Sequence, residues 1–265
     1  MSEPLRIALL GLGEAGSIVA EDLAGAASVS GYDPLVTRPT GAYERAASGA
    51  MAVADADVII ALTAGHDAEG ALASAAGVAQ AGTIYADLSS SSPALKRRLA
   101  ATAEAAGLRF VDGVFVATVP ARRSATPLLA SGPGATAFAD AMTPLGMQVT
   151  VVGAQAGEAA TRKLLRSIVM KGMTALLVES LRAAEATGEL EWYTEHIRST
   201  LTDITPELLT RLLDGTLTHS VRRVHEMQAA VELVEGAGVE AAMTRATVEV
   251  LERVGETGIP RGSAL

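Results

Sequence analysis

The chain changes texture near residue 152. Up to that point short, β-rich apolar runs alternate with alanine-rich stretches at helical spacing. The strand-like runs are "RIALLG" (6–11), "SVSGYD" (28–33), "ADVIIALT" (56–63), "GTIYADLS" (82–89), "LRFVDGVFV" (108–116), "TPLLASG" (126–132) and "QVTVVG" (148–153). Helical patterns lie between them over 14–26, 67–79 and 93–106. Such alternation predicts a parallel sheet covered by helices on both faces. Beyond Gly153, "GEAATRKLLRSIVMKGMTALLVESLRAAEATG" (157–188) runs without a proline and with one interior glycine, Gly172. At ~1.5 Å per residue a helix of that length spans ~45 Å, too long to hide inside one small layer. Shorter helices are predicted around 190–201, 205–213, 216–235 and 239–254, with Pro206 at a first-turn position. The expected architecture is a doubly wound α/β domain over 1–153 and a smaller all-α domain over 154–265, joined through the long helix.

Composition bounds the chemistry. A chain of 265 residues exceeds the usual size of one domain, and 49% hydrophobic residues suffice for a core. Aromatics are only 3%, so that core is built from Ala, Val, Leu and Ile. The net charge of −9 disfavours nucleic acid, because a duplex binder needs a cationic face to displace counterions. With no cysteine there is no disulfide, no thiol nucleophile and no Cys-ligated metal. No H-E-x-x-H or comparable spacing occurs either, so no metal is expected. The N-terminal apolar run lacks a basic segment ahead of it and feeds a glycine turn, as a strand does and a signal peptide does not. No segment approaches the ~18 uninterrupted apolar residues of a membrane helix. The expectation is a soluble, cytoplasmic protein with a small-molecule partner.

The candidate chemistry begins at "LRIALLGLGEAGSIVAEDL" (5–23). Gly11, Gly13 and Gly16 fit G-x-G-x-x-G directly after a strand and at the opening of a helix. In a Rossmann dinucleotide site the three glycines serve a tight turn, close approach of backbone to pyrophosphate, and close helix–strand packing. Leu12, Glu14 and Ala15 complete the loop, whose free N–H groups and positive dipole end suit a diphosphate. Without a ligand the same letters make only a tight turn between strand and helix. Asp33 ends the second strand ~20 residues further on, where a carboxylate receives the ribose hydroxyls. Its charge would repel a 2′-phosphate, so NAD is favoured over NADP, with NADP kept open because Arg38 follows nearby. The alternative makes Asp33 an ordinary turn residue ahead of Pro34. Thr63, at the end of the run 56–63, joins the cofactor-binding set.

These residues carry a family likeness. "GLGEAGSIVAEDL" resembles the N-terminal signature of the β-hydroxyacid dehydrogenases, a superfamily that includes 6-phosphogluconate and 3-hydroxyisobutyrate dehydrogenases. "YADLSSSSP" (85–93) is similar to that family's Asp-x-Ser-Thr segment. Asp87, Ser89 and Ser90 take its positions, which implies Ser90 beside the nicotinamide and Ser89 by the substrate. "GEAATRKLLRSIVMKG" is similar to the family's glycine-then-lysine helix, with Lys163 at the catalytic position. The wording "RKLLRS…KG" and "PLLASGP" looks closest to a less characterised branch with a 6-phosphogluconate dehydrogenase-like C-terminal domain. Two departures stand out. The usual Asn-Asn or His-Asn pair after the lysine reads Arg166 and Ser167. The usual Asp-x-Pro-Val-Ser-Gly-Gly loop reads Asp112-Gly113-Val114-Phe115-Val116-Ala117-Thr118. Val116, Ala117, Thr118, Arg166 and Ser167 are therefore the implied substrate positions, while the family's common substrates do not carry over. The resemblance also implies a homodimer packed through helical domains.

Oxidising an alcohol needs hydride departure while a base takes the hydroxyl proton. A lysine serves as that base only when burial or a nearby cation brings its pKa toward neutrality. Arg162 and Arg166 flank Lys163, and Lys163, Ser167, Met170 and Thr174 form one helical stripe. By periodicity alone Lys163 and Lys171 read as solvated charges, as most lysines are; the resemblance singles out Lys163. His66 lies near strand carboxyl ends but reads as an exposed loop histidine. His219, Arg222, Arg223 and Glu226 fall at helical spacings that suit either a solvated face or contact with an anionic substrate. The function implied is hydride transfer between NAD(P) and a small hydroxyacid or related carbonyl compound. Two other readings stand beside it: an imine reductase-like enzyme, a class that typically lacks the lysine, and a non-catalytic NAD(P)-binding sensor or scaffold.

Overall fold

The structure, a computed structural model, describes residues 3–36 and 41–260. Arg38 lies outside the described residues. Eight strands form one sheet: β1 (Arg6–Leu10), β2 (Ser28–Tyr32), β3 (Glu44–Arg45), β4 (Val58–Ala61), β5 (Ile84–Asp87), β6 (Arg109–Phe115), β7 (Leu128–Ser131) and β8 (Val149–Gly153). The helices of the first part are α1 (Glu14–Leu23), α2 (Gly49–Val53), α3 (Ala68–Ala76), α4 (Pro93–Ala105), α5 (Val119–Arg122) and α6 (Ala135–Met142). They are followed by α7 (Glu158–Ala186), α8 (Leu190–Thr202), α9 (Pro206–Gly236) and α10 (Ala242–Thr257).

The strand order is β3-β2-β1-β4-β5-β6-β7-β8. Its first six strands are parallel in the doubly wound order of dinucleotide-binding domains. The sheet departs from the all-parallel expectation at one place, since β7 runs antiparallel to β6. Between them lie only the short helix α5 and one 3-10 turn (Arg123–Ala125), less than the covering crossover that a parallel return needs. β3 is two residues long, too short to leave a periodic trace in the sequence.

Alternation along β1 explains the two-sided core. Ile7 and Leu9 join Val19 and Leu23 of α1 and Phe138 of α6 on one face. Ala8 and Leu10 join Leu72 of α3 and Leu99 of α4 on the other. β4 and β5 are buried throughout, which is why they read as unbroken apolar runs rather than alternating ones.

The chain divides into two compact units, Met1–Arg166 and Ser167–Leu265. Among its described residues the second has helices and no strand, with a small core: Ala183, Val234 and Ala241 are buried, with Val231 and Val239 packed against them. Glu179 of α7 is buried and accepts from the backbone N–H groups of Met243 (2.7 Å) and Thr244 (2.9 Å) at the start of α10. Burial pushes its carboxyl up, but the Thr244 hydroxyl and backbone donors outweigh that and hold it below its ordinary 4.5. The two helices expected over 205–213 and 216–235 are one helix, α9. Asp214 and Gly215 are weak helix formers, yet the backbone stays helical there and bends instead at His219 (φ −126°, ψ 28°). Near the bend Arg223 donates to the Leu212 carbonyl at 3.2 Å and to the Thr216 hydroxyl.

Candidate functional site: a dinucleotide cradle and a lysine–serine pair

The three glycines of the first loop have separate physical reasons. Gly11 has φ +96°, and a Cβ there would stand 2.5 Å from the Leu62 carbonyl oxygen. A Cβ at Gly16 would stand 2.0 Å from the Gly11 carbonyl oxygen, so α1 can approach β1 only with glycine at that position. At Gly13 a Cβ would meet nothing within 4 Å. The protein's own packing therefore does not require glycine at residue 13. A ligand laid against that backbone would. Gly13 caps α1 with no side-chain hydrogen bond, leaving first-turn amides of Glu14, Ala15 and Gly16 without the partner a capping side chain would supply.

Asp33 closes the loop from the end of β2. Its Oδ2 accepts the Leu12 N–H at 2.8 Å, and its Oδ1 accepts those of Leu35 (2.8 Å) and Val36 (3.0 Å). Burial pushes this carboxyl up, but the three backbone donors and Arg45 together hold it below its ordinary 3.8. The turn reading and the ligand reading of Asp33 are thus compatible. It organises the loop as a charged group, and three donors leave about one of its four lone-pair sites for a ligand.

Gly11, Gly13, Asp33 and Thr63 line one cleft of ≈ 730 Å³, walled by Tyr32, Leu35, Val36 and Ala71 among others. The Thr63 hydroxyl is buried without a hydrogen-bond partner. His66, exposed and 3.3 Å from its neighbour Asp67, stands at the same cleft, near the strand carboxyl ends where its sequence position puts it. Open space at Gly13, uncapped amides, an orphaned hydroxyl and the Asp33 carboxylate held against the loop together fit a dinucleotide.

The second cluster gathers at the carboxyl ends of β5 and β6. Lys163 of α7 donates to Ser90 Oγ at 2.7 Å. Ser89 is buried; its N–H donates to Asp87 Oδ1 (3.1 Å) and its hydroxyl to Asp87 Oδ2 (3.0 Å). Val116, half-buried, and Ala117 and Thr118, both exposed, follow β6, with Val116 held by its N–H to the Pro127 carbonyl at 3.0 Å. Arg166 is exposed three residues past Lys163, and Ser167, half-buried, opens the second unit. Arg162 donates to the Val152 carbonyl at 3.0 Å. Arg222 pairs with Glu226 (3.7 Å) on an exposed face of α9.

Sequence reasoning missed Lys96 and Ser131. Lys96 is fully buried on α4 and lies 3.0 Å from Asp87 and 3.4 Å from Asp112. Its signal was present: Lys96, Leu99 and Ala103 share the buried stripe of α4, and a lysine on such a stripe needs an acidic partner. Among the described residues no group of three His, Asp or Glu is placed to hold a metal ion, and no helix is long and apolar enough to cross a membrane.

Fold and cradle define a nucleotide-binding protein of the dehydrogenase type. Residues 6–155 match the NAD binding domain of 6-phosphogluconate dehydrogenase, and the chain belongs to that family. Residues 184–254 match a domain of unknown function, DUF1932. A conserved hypothetical protein from Sinorhizobium meliloti 1021 is 30% identical, with a TM-score of 0.63 over 98% of this chain and 92% of that one. The imine reductase from Myxococcus stipitatus (V8 variant), solved with NAD+, has a TM-score of 0.79 at 21% identity, over 97% and 95% of the two chains. The conserved protein MTH1747, described as structurally similar to 3-hydroxyacid dehydrogenases, has a TM-score of 0.61 at 24% identity, over 94% and 96%. The last two likenesses are of fold. An uncharacterized 28.5 kDa protein from Methanothermus fervidus is 24% identical over 173 residues, which span 65% of this chain and 66% of that protein.

Proposed function

We propose that the protein is an NAD(P)-dependent oxidoreductase that moves hydride between the nicotinamide and a small hydroxyacid or related carbonyl compound. The observation that carries this reading is the 2.7 Å hydrogen bond between Lys163 Nζ and Ser90 Oγ. It puts an amine able to exchange a proton beside the residue that the family likeness assigns to the nicotinamide. When bound, the nicotinamide supplies or accepts the hydride. In the reducing direction the Lys163 ammonium donates a proton to the substrate oxygen; in the oxidising direction the neutral amine receives it. Ser89, Val116, Ala117, Thr118, Arg166 and Ser167 are the proposed substrate contacts. The exposed guanidinium of Arg166 supports an anionic substrate. NAD is the preferred coenzyme, because the ionised Asp33 at the cleft wall disfavours a 2′-phosphate.

A homodimer is part of the proposal. The second unit exposes Ile168, Val169, Trp192 and Val221 by 62–70% while its buried core holds few residues. Exposed apolar side chains of that size suit cover, and a second copy is the proposed cover.

Titration with NADH and NADPH, followed by a panel of hydroxyacids, aldehydes and cyclic imines, tests the reading. Saturable NADH binding with turnover of hydroxyacids or their carbonyl partners is expected. Turnover confined to imines replaces the reading with imine reduction. Coenzyme binding without turnover across the panel replaces it with a sensor or scaffold.

A further inference from the structure

The buried Lys96 ammonium stands between two hydrogen-bonded groups, donating to the carbonyls of Asp87 and Gly113 and pairing with both the Asp87 and Asp112 carboxylates. It lies 2.6 Å from the Asp87 carbonyl oxygen, 3.0 Å from Asp87 Oδ2 and 3.4 Å from Asp112 Oδ1, with its side chain 0% exposed. Asp87 and Asp112 are register partners on β5 and β6, so two carboxylates are buried side by side. Two carboxyl groups buried side by side need polar partners. Lys96 faces both, and the N–H groups of Gly157 and Ala160 at the start of α7 face Asp112.

Each carboxylate holds the backbone next to one partner of the Lys163–Ser90 pair. Asp87 binds the N–H and hydroxyl of Ser89, and Ser89 Oγ lies 2.7 Å from Ser91 Oγ, so Ser90 is pinned from both sides. Asp112 Oδ2 accepts from the N–H groups of Gly157 (2.9 Å) and Ala160 (3.1 Å) and from the Ser131 hydroxyl (3.1 Å). Ser131 Oγ in turn accepts the Ala159 N–H at 3.0 Å. These bonds fix the first turn of α7, and Lys163 stands on the next turn of the same helix.

We propose that Lys96 is a positioning residue for the Lys163–Ser90 pair: one buried ammonium ties the loop carrying Ser90 and the helix start carrying Lys163 to a common anchor. This rests on the reading of Lys163 as the proton-exchanging amine, but its test does not need the substrate. The chain has three lysines, Lys96, Lys163 and Lys171, so trace acetylation followed by peptide mass spectrometry can report on Lys163 with the exposed Lys171 as internal standard. In Lys96→Met the Ser90 acceptor is no longer held opposite Lys163, and the Lys163/Lys171 labelling ratio should rise threefold or more. Most of the coenzyme affinity should remain, since the Gly11–Gly16 loop and Asp33 are untouched and only Ser90 at the proposed nicotinamide end is loosened. A folded Lys96→Met protein with an unchanged or lower ratio overturns the proposal. If that variant does not hold its fold, Ser131→Ala is read the same way, because it cuts the tie between Asp112 and Ala159 without emptying the Lys96 site. Turnover that survives Lys163→Met would remove the proton role of Lys163, yet leave the labelling result to stand or fall separately.

Discussion

Lys163 Nζ and Ser90 Oγ meet at 2.7 Å across a separation of 73 residues. The bond joins the second turn of α7 to the loop after β5, where the proposed function puts the proton exchange. Lys163→Met should lower kcat/KM by about 10²–10⁴-fold, the usual contribution of a positioned acid–base group. The coenzyme Kd, read by fluorescence titration, should not change. Ser90→Ala removes only the acceptor and should cost less than Lys163→Met. Full turnover in Lys163→Met would end the proposed mechanism.

The glycine loop offers a cleaner separation of folding from binding. Gly16→Ala drives a Cβ into the Gly11 carbonyl and should unfold or strongly destabilise the first unit. Gly13→Ala meets open space at φ −63°, a conformation alanine adopts freely. Lower entropy of the unfolded chain favours this change and loss of a glycine cap opposes it, so stability should move by less than about 1 kcal/mol. Coenzyme affinity should nevertheless fall at least tenfold. Thermal melts and coenzyme titrations of both variants check the contrast, and undiminished binding in Gly13→Ala would argue that the loop holds no diphosphate.

Asp33 gives a pH dependence with a definite sign. Its folded carboxyl lies below the ordinary 3.8, so the unfolded chain binds more protons as the solution is acidified. Its stabilisation is therefore complete above about pH 4 and is lost as the pH falls through the lower folded value. Asp33→Asn should show a shallower loss of Tm below pH 4 than the parent protein. Asp33→Ala leaves the N–H groups of Leu12, Leu35 and Val36 without their acceptor and should cost about 1–3 kcal/mol. It should also narrow the preference for NADH over NADPH, measured as the ratio of the two Kd values.

The helical unit predicts association. Ile168 and Val169 are 69% and 67% exposed on α7. Light scattering should return twice the chain mass of 27.0 kDa, and Ile168→Glu with Val169→Glu should shift it toward a single chain. A monomer in the parent protein at micromolar concentration would remove the dimer from the proposal.

Much of this was legible along the chain. Strand and helix periods report which side of an element meets solvent, a local property, and they marked seven of the strands and the long helix over 157–188 where α7 lies. The spacing of Gly11, Gly13 and Gly16 after an apolar run is local too, as is the lysine in "RKLLRS". Other features depend on which elements become neighbours, and no local period carries that. The antiparallel turn of β7, the two-residue β3 and the continuity of α9 past Gly215 belong to this group. So does the different task of each glycine, which follows from the Leu62 and Gly11 carbonyls packed against Gly11 and Gly16 and the open space over Gly13. Lys96 is the clearest case. By sequence its place on the apolar stripe of α4 asks for an acidic partner without naming one, and only the pairing of β5 with β6 sets Asp87 beside Asp112 against it. Burial of a charge is decided by its partners, and its partners are decided by the sheet.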